Sequence, residues 1–346
     1  ELWLCNLLEI HFSWYCPKIF NTYLLPCYHT LLVSIIFLPT LLHAMVDILM
    51  ATYNGEAFVE EQVRSIMAQS FTNWRLLIHD DGSTDQTIAI IQQLQQEDSR
   101  IVLINDNVCN LGVARNFIHL VTYATARYCM FCDQDDIWLP NKVETMIRAI
   151  SDFDQTIPQV LYSNAYLWNN QRGVISDKNT LTYPTTIRQT LFLNTGIQGA
   201  ASIFNHKMCE IIRQPLQFYA MHDHVLLLAG ICFGEVHYLH QSLMFYRQHD
   251  NNVTGNAPGS IAKKIQLMWA NRYVPLVSRE HLEGLRAFYG CFQSNISTND
   301  RQLINVFLSL PEKSWFARLK TIVQYRFQLF DSTILLIVKF LLRRYI

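Results

Sequence analysis

From Met45 onward, short apolar runs ending in polar clusters alternate with stretches of helical periodicity. Val46 to Ala51 is a strand-length apolar run, closed by the turn residues Tyr53, Asn54 and Gly55. Phe58, Val63, Ile66 and Met67 then recur at the spacing of one helix face. Trp74 to Ile78 predicts a second strand, closed by Asp80-Asp81-Gly82-Ser83. Ser83 or Thr84 is expected to cap the next helix, whose apolar face is Ile88, Ile91 and Leu94. Ile101 to Ile104 predicts a third strand, Asn116 to Ala126 a helix, and Tyr128 to Phe131 a fourth strand running into Asp133-Gln134-Asp135-Asp136. Strand–helix alternation at this spacing implies an α/β fold, a mostly parallel sheet flanked by helices on both faces. Ligands of such sheets bind beyond the carboxyl ends of the strands, where these polar clusters fall.

The two ends of the chain read differently. Residues 1–44 carry only Glu1, Glu9 and Lys18 as charges, and their most apolar run, Leu31 to Leu42, is short for a membrane span. This atypical apolar extension has three open readings: translated sequence ahead of a start at Met45, a weak membrane anchor, or an added hairpin. The first is preferred, because a strand pattern begins at Val46. From Lys313 to Ile346 there are seven basic residues and one acid, Asp331, interleaved with Trp315, Phe316, Phe327, Phe330 and the run Ile334 to Val338. That mixture suits a helix on an anionic membrane surface; an ordinary packed C-terminal helix is the alternative. The expected organisation is therefore an extension over 1–44 and an α/β domain over 45–255, followed by a helical, basic extension over 256–346. The domain divides into a first half over 45–140 and a second over 141–255.

Charge and composition narrow the chemistry. With 27 Lys and Arg against 28 Asp and Glu, bulk charge gives no reason to bind nucleic acid. Nine scattered cysteines show no disulfide framework, which favours a reducing, cytoplasmic setting; Cys129 and Cys132 read as buried strand thiols. No glycine-rich dinucleotide or P-loop signature is present, so phosphate charge must be met otherwise. Asp133, Asp135 and Asp136 crowd three carboxylates at one strand end. Such crowding is costly without a compensating cation, and hard oxygen ligands suit Mg²⁺ or Mn²⁺.

Four motifs in order carry a resemblance: Ile48 to Gly55, His79 to Asp85, Asn110 to Asn116, and Asp133-x-Asp135 after an apolar strand. Together they resemble family 2 glycosyltransferases of the GT-A type over about Met45 to Asn252. Ala51 to Gly55, Cys132 to Trp138 and Tyr246 to His249 look most like bacterial rhamnosyltransferases of surface-polysaccharide synthesis. The resemblance implies a nucleotide-sugar site. Thr52, Tyr53 and Asn54 would line the nucleotide pocket together with Gln134. Asp80 or Asp81 would accept from a pyrimidine N3–H, and Arg115 would meet phosphate charge. Asp135 would be the metal ligand, with Asp133 beside the ribose or metal and His249 completing the metal shell or touching the diphosphate.

Acceptor-side residues follow. Asp223, before the apolar run Val225 to Ala229, resembles the family's catalytic base, with His222 in front of it; the alternative is a plain helix cap. Gln198 and Gly199 resemble the acceptor loop, and Arg247 is placed to pair with the diphosphate. A base opposite the leaving group implies inversion at the anomeric carbon. The expected activity is an inverting, metal-dependent hexosyl transfer. Its donor would be dTDP-L-rhamnose and its acceptor a lipid-linked or growing surface polysaccharide, met at the inner face of the membrane. Other readings are a different, UDP-linked donor, a scaffold without catalysis, or a nucleotidyltransferase releasing pyrophosphate.

Overall fold

The computed structural model describes residues 46–194, 197–248 and 273–346. The extension over 1–44, the boundary at 255 and His249 lie outside the described residues.

The first half alternates strand and helix as its pattern dictates. β1 (Val46–Thr52) is followed by α1 (Val59–Met67), β2 (Trp74–Asp80), α2 (Thr87–Glu97), β3 (Ile101–Leu103), α3 (Val113–Tyr123) and β4 (Tyr128–Cys132). These strands lie in the order β3-β2-β1-β4, all parallel. β1 is an almost continuous apolar run because both its faces are covered. Each fully buried side chain of Ile48, Leu49 and Met50 contributes roughly 1.5–3 kcal/mol. The polar residue among them, Asp47, takes two hydrogen bonds from Arg75 and two from the Thr125 and Ala126 amides, so its burial leaves nothing unpaired. Register aligns Val46 with Trp74 through to Thr52 with Asp80, which brings the two carboxyl ends level.

Two local expectations are corrected. The helix after β2 begins at Thr87, not beside Ser83. Ser83 Oγ donates to Asp80 Oδ1, and Asp85 accepts from the Thr87 amide instead. The helix expected from Asn116 begins three residues earlier, at Val113.

Beyond β4 the sheet becomes mixed. β5 (Ile137–Trp138), α4 (Lys142–Ser151), β6 (Gln159–Asn169), β7 (Gly173–Ser176), the short α5 (Ile187–Thr190), β8 (Ser202–Asn205), α6 (His206–Ile212), α7 (His222–Phe233) and β9 (Glu235–Arg247) follow. β8 runs antiparallel to both β4 and β6, whereas β6 and β9 are parallel. Cys129 and Cys132 are buried strand thiols; Cys129 Sγ lies 3.2 Å from Cys209 Sγ.

Four helices close the chain: α8 (Arg279–Phe292), α9 (Thr298–Leu308), α10 (Trp315–Gln324) and α11 (Thr333–Leu342). Phe288, Phe307, Ile322, Leu336 and Phe340 share the apolar cluster of Leu226 and Leu227 from α7. The last segment is also stitched by backbone, with the Leu276 and Val277 amides donating to the Arg344 and Tyr345 carbonyls. α10 and α11 are thus packed on one side, while Phe316 and Ile334 remain 78% and 75% exposed on the other. Among the described residues no helix is long and apolar enough to cross a membrane.

Candidate active site

A cleft of about 1320 Å³ opens beyond the carboxyl ends of β1, β2 and β4. Thr52, Tyr53, Asn54, Asp81, Asp133, Gln134, Asp135, Gln198, Gly199, His222 and Asp223 all line it. Residues up to 171 apart in sequence from Thr52 to Asp223 meet here because parallel strands deliver their ends to one edge.

The donor-side wall is held by side chains acting on backbone. Gln134 Nε2 donates to the Tyr53 carbonyl and Gln134 Oε1 accepts from the Tyr53 amide, both at 3.0 Å. A Cβ at Gly55 would stand 2.3 Å from Gln134 Oε1, so this clamp needs glycine there. Asn54, at φ 46°, donates its amide to Ser83 Oγ and accepts from the Thr84 amide, tying the β1 and β2 ends together. Gln134 and Asn54 therefore shape the wall through the main chain as well as lining it.

Of the Asp80–Asp81 pair, the structure brings only Asp81 to the cleft. Asp80 accepts from Thr52 Oγ1, the Gly82 and Ser83 amides and Ser83 Oγ, so its carboxylate is consumed by its own turn. Asp81 accepts the Leu111 amide at 2.7 Å on one oxygen and the Gly112 amide at 2.8 Å on the other. Each oxygen keeps a second lone pair for a ligand.

Arg115 does not reach the cleft. It sits in the first turn of α3, exposed, and its guanidinium contacts the Gln217 carbonyl at 3.4 Å. The earlier start of α3 turns it outward. Arg247 is also displaced from its expected role: it is buried behind the acidic loop. Its Nε donates to the Asp135 carbonyl at 2.8 Å, its amide to Asp136 Oδ1, and Nη1 and Nη2 bind Asn170 and Glu61. It shapes the loop that presents Asp135.

Electrostatics concentrate on three carboxylates. Burial, then the charges of Asp135 and Asp223, push Asp133 up to about 7. Burial lifts Asp223 to about 7 as well, partly offset by amides at the start of α7. Asp223 is half-buried overall, yet its Oδ1 is sealed from solvent and has no hydrogen-bond partner. It is not the helix cap, since Met221 occupies that position. His222 is buried, stacked 3.9 Å from Phe117, and burial lowers it to about 3, so it is neutral at pH 7. A Cβ at Gly199 would lie 2.4 Å from His222 Nε2, and glycine is what lets the acceptor loop pass so close. Gln198 accepts from Asn179 Nδ2 at 2.8 Å, which links that loop to the strand-free stretch after β7.

Asp133 and Asp135 line one wall of the cleft, and after burial the charge of Asp135 is the next cause that raises Asp133, a repulsion a divalent cation would relieve. They fit Mg²⁺ or Mn²⁺ on that chemistry.

Three features escaped sequence reasoning. Lys142, fully buried in α4, donates to the Ala200 carbonyl at 2.5 Å and lies 3.9 Å over the Trp138 ring. Burial lowers it to about 7, opposed by the charges of Cys132, Asp136 and Asp133. It spans the space between the acidic loop and the acceptor loop. Lys142→Met is expected to cost roughly 1–3 kcal/mol by orphaning the Ala200 carbonyl, read as a lower urea midpoint; an unchanged midpoint would remove the role. Lys178 lines the cleft from the stretch after β7. Lys339, in the last turn of α11, and Arg343, the C-cap residue that follows the helix, also line the cleft. The signal for this last pair was present as i,i+4 spacing, but only packing decides which way that face turns.

Comparison with known proteins gives four findings. Residues 47–212 match the family model described as glycosyl transferase family 2. The chain is 29% identical over 226 residues to the UDP-Glc:alpha-D-GlcNAc-diphosphoundecaprenol beta-1,3-glucosyltransferase WfgD of Escherichia coli, covering 64% of this chain and 77% of that protein. It is 28% identical over 219 residues to the dTDP-rhamnosyl transferase RfbG of Shigella flexneri, covering 60% and 73% respectively. Among solved structures, S. aureus TarS 1-349 in complex with UDP-GlcNAc superposes with a TM-score of 0.49 at 16% identity, covering 82% of this chain and 89% of that one.

Proposed function

We propose, on the match of residues 47–212 to the glycosyl transferase family 2 model, that this chain is an inverting family 2 glycosyltransferase using a pyrimidine nucleoside diphosphate sugar. The first candidate donor is dTDP-L-rhamnose. The observation that carries the reading is the convergence of Asp81, Asp133, Asp135 and Asp223 on one cleft.

Each residue then has a task that follows from its surroundings. Thr52 and Tyr53 border the base and ribose, and Asp81 accepts from a pyrimidine N3–H with the lone pairs its amide bonds leave over. Uracil and thymine carry that N3–H, whereas cytosine and adenine present an unprotonated ring nitrogen at the corresponding edge, so Asp81 favours the first two over these. Asp135 and Asp133 would hold Mg²⁺ or Mn²⁺, which when bound supplies charge neutralisation at the departing diphosphate. Asp223, on the cleft wall with its carboxyl raised to about 7 by burial, accepts the proton of the acceptor hydroxyl as that oxygen attacks the anomeric carbon. Attack opposite the leaving group inverts the centre, so a β-linked L-rhamnosyl donor gives an α-rhamnoside. Neutral His222 and Gly199 shape the acceptor side without adding charge.

The acceptor is proposed to be a lipid-linked or growing surface glycan. Lys339 and Arg343 put two cations on the cleft wall, where an anionic diphosphate linkage would be met. The exposed Phe316 and Ile334 on the same two C-terminal helices favour contact with a lipid surface, the inner face of the plasma membrane in a cytoplasmic enzyme. A second donor, UDP-glucose, is favoured by the likeness to WfgD, whose printed donor is UDP-Glc.

A donor screen by thermal unfolding with Mn²⁺ tests the reading, because a ligand that binds the folded state raises the melting temperature by mass action. A dTDP sugar is expected to give the largest rise, followed by release of dTDP on adding acceptor. A larger rise with a purine donor would overturn the base assignment. Pyrophosphate release in place of nucleoside diphosphate would make the chain a nucleotidyltransferase.

A further inference from the structure

A second ligand-bearing cluster stands at the end of β2, outside the cleft. His79 precedes the Asp80 turn, Asp106 lies in the connection from β3 to α3, and His119 lies on α3. His79 Nε2 is 3.3 Å from Asp106 Oδ1, and His119 Nε2 is 2.5 Å from Asp106 Oδ2. All three ligand atoms lie within 4.8 Å of one another.

The hydrogen bonds around His79 expose an unsatisfied demand. Asn116 Nδ2 donates to the His79 carbonyl at 3.2 Å, which fixes the amide so that Oδ1 faces the imidazole. His79 Nδ1 sits 2.6 Å from that Oδ1, so Nδ1 carries the proton. With the proton on Nδ1, Nε2 meets a carboxylate oxygen with either a lone pair or a second proton. Two lone pairs facing each other at a buried position repel, and the contact is favourable only with a cation between them or a second proton on the ring.

The surroundings match the first solution. Zinc bonds of ~2.0–2.2 Å in a tetrahedral shell set ligand atoms roughly 3.3 Å apart, which is the spacing of His79 Nε2 and Asp106 Oδ1, whereas His119 Nε2, 2.5 Å from Asp106 Oδ2, would swing outward to admit the ion. Two imidazoles and one carboxylate are a zinc-type set, unlike the oxygen-only set of the cleft. An outer shell is in place: Asn116 on His79 Nδ1, and the Val108 amide at 3.0 Å and Tyr123 hydroxyl at 2.7 Å on Asp106. His119 and Asp106 are only half-buried, which leaves room for a fourth, water ligand.

We propose that His79, Asp106 and His119 bind one Zn²⁺ ion as a structural clip on the donor side of the enzyme. The clip ties the β3–α3 connection to β2. That connection carries the Leu111 and Gly112 amides that hold Asp81 in the cleft, so the metal would stiffen the wall against which the base rests. The inference stands whether or not the donor assignment does, because its test measures metal rather than turnover.

Metal-stripped full-length protein is titrated with ZnCl₂ by calorimetry, and with CoCl₂ by visible absorption, at pH 7.5. Wild type is expected to take one equivalent of Zn²⁺ and to give a Co²⁺ spectrum of four-coordinate nitrogen and oxygen ligation. Loss of an outer-shell partner alone weakens such sites roughly 10–100-fold, so His119→Ala is expected to weaken Zn²⁺ by at least that factor. Asp135→Asn should retain the equivalent. Should the alanine variant fail to fold, His119→Gln serves the same comparison. No binding by wild type, undiminished binding by the His119 variant, or loss of the equivalent in Asp135→Asn would each overturn the clip. The cluster would then be a protonated His79–Asp106 pair or bystander to a cleft metal.

Discussion

Asp223→Asn is expected to lower kcat roughly 10²–10⁴-fold, the range of a removed general base, while the donor still raises the melting temperature as in wild type. The asparagine keeps the size of the side chain and its place in the first turn of α7 but cannot accept the acceptor hydroxyl's proton. Cleft shape and the Asp133–Asp135 pair are untouched, so donor affinity is spared. Initial-rate kinetics alongside thermal unfolding separate the two effects. A loss confined to KM, or none at all, would return Asp223 to a structural role at a helix start. Its place on the cleft wall in the first turn of α7, with a carboxyl that burial raises to about 7, is the reason to expect otherwise.

Asp135→Asn is expected to act on the other side of the reaction. Its predicted signature is the disappearance of the Mn²⁺-dependent part of the donor-induced rise in melting temperature. Turnover should fall about a hundredfold or more, since several kcal/mol of charge stabilisation at the leaving diphosphate would be lost. The protein itself should be no less stable without ligand. Asp133 is lifted first by burial and then by the charges of Asp135 and Asp223, so removing one of those charges relieves repulsion. Thermal unfolding with donor, with and without Mn²⁺, reads both parts at once. A variant that keeps a full Mn²⁺ response would show that Asp135 is not a ligand.

What was legible in the chain follows from burial. Val46–Thr52 and Tyr128–Cys132 are covered on both faces, so they stand out as apolar runs, and the polar residues that follow are at strand ends by construction. That places Asp81, Asp133 and Asp135 in one region, whereas Asp223, which opens an apolar helix and ends no strand, is legible only through the family resemblance. Local chemistry was less visible. Asp80 and Asp81 are adjacent and identical in type, and only the turn geometry decides that one serves the backbone and the other faces the cleft. Arg115 was misplaced because a start at Val113, not Asn116, rotates it to the outside. Lys142 gave no signal, because a single lysine near a proline reads as solvated until packing encloses it. His79, Asp106 and His119 are separated by 27 and 13 residues, and nothing but topology joins them.

α11 has one further implication. Leu336 and Phe340 plug into the interior, while Lys339 and Arg343 form part of the bank along which substrates must pass. Trimming the chain before Ser332 would therefore not yield a minimal, better-behaved catalyst for engineering. It would unroof the cleft and uncork the hydrophobic interior in a single cut, so the tail is better regarded as scaffolding of the reaction chamber than as a detachable tether.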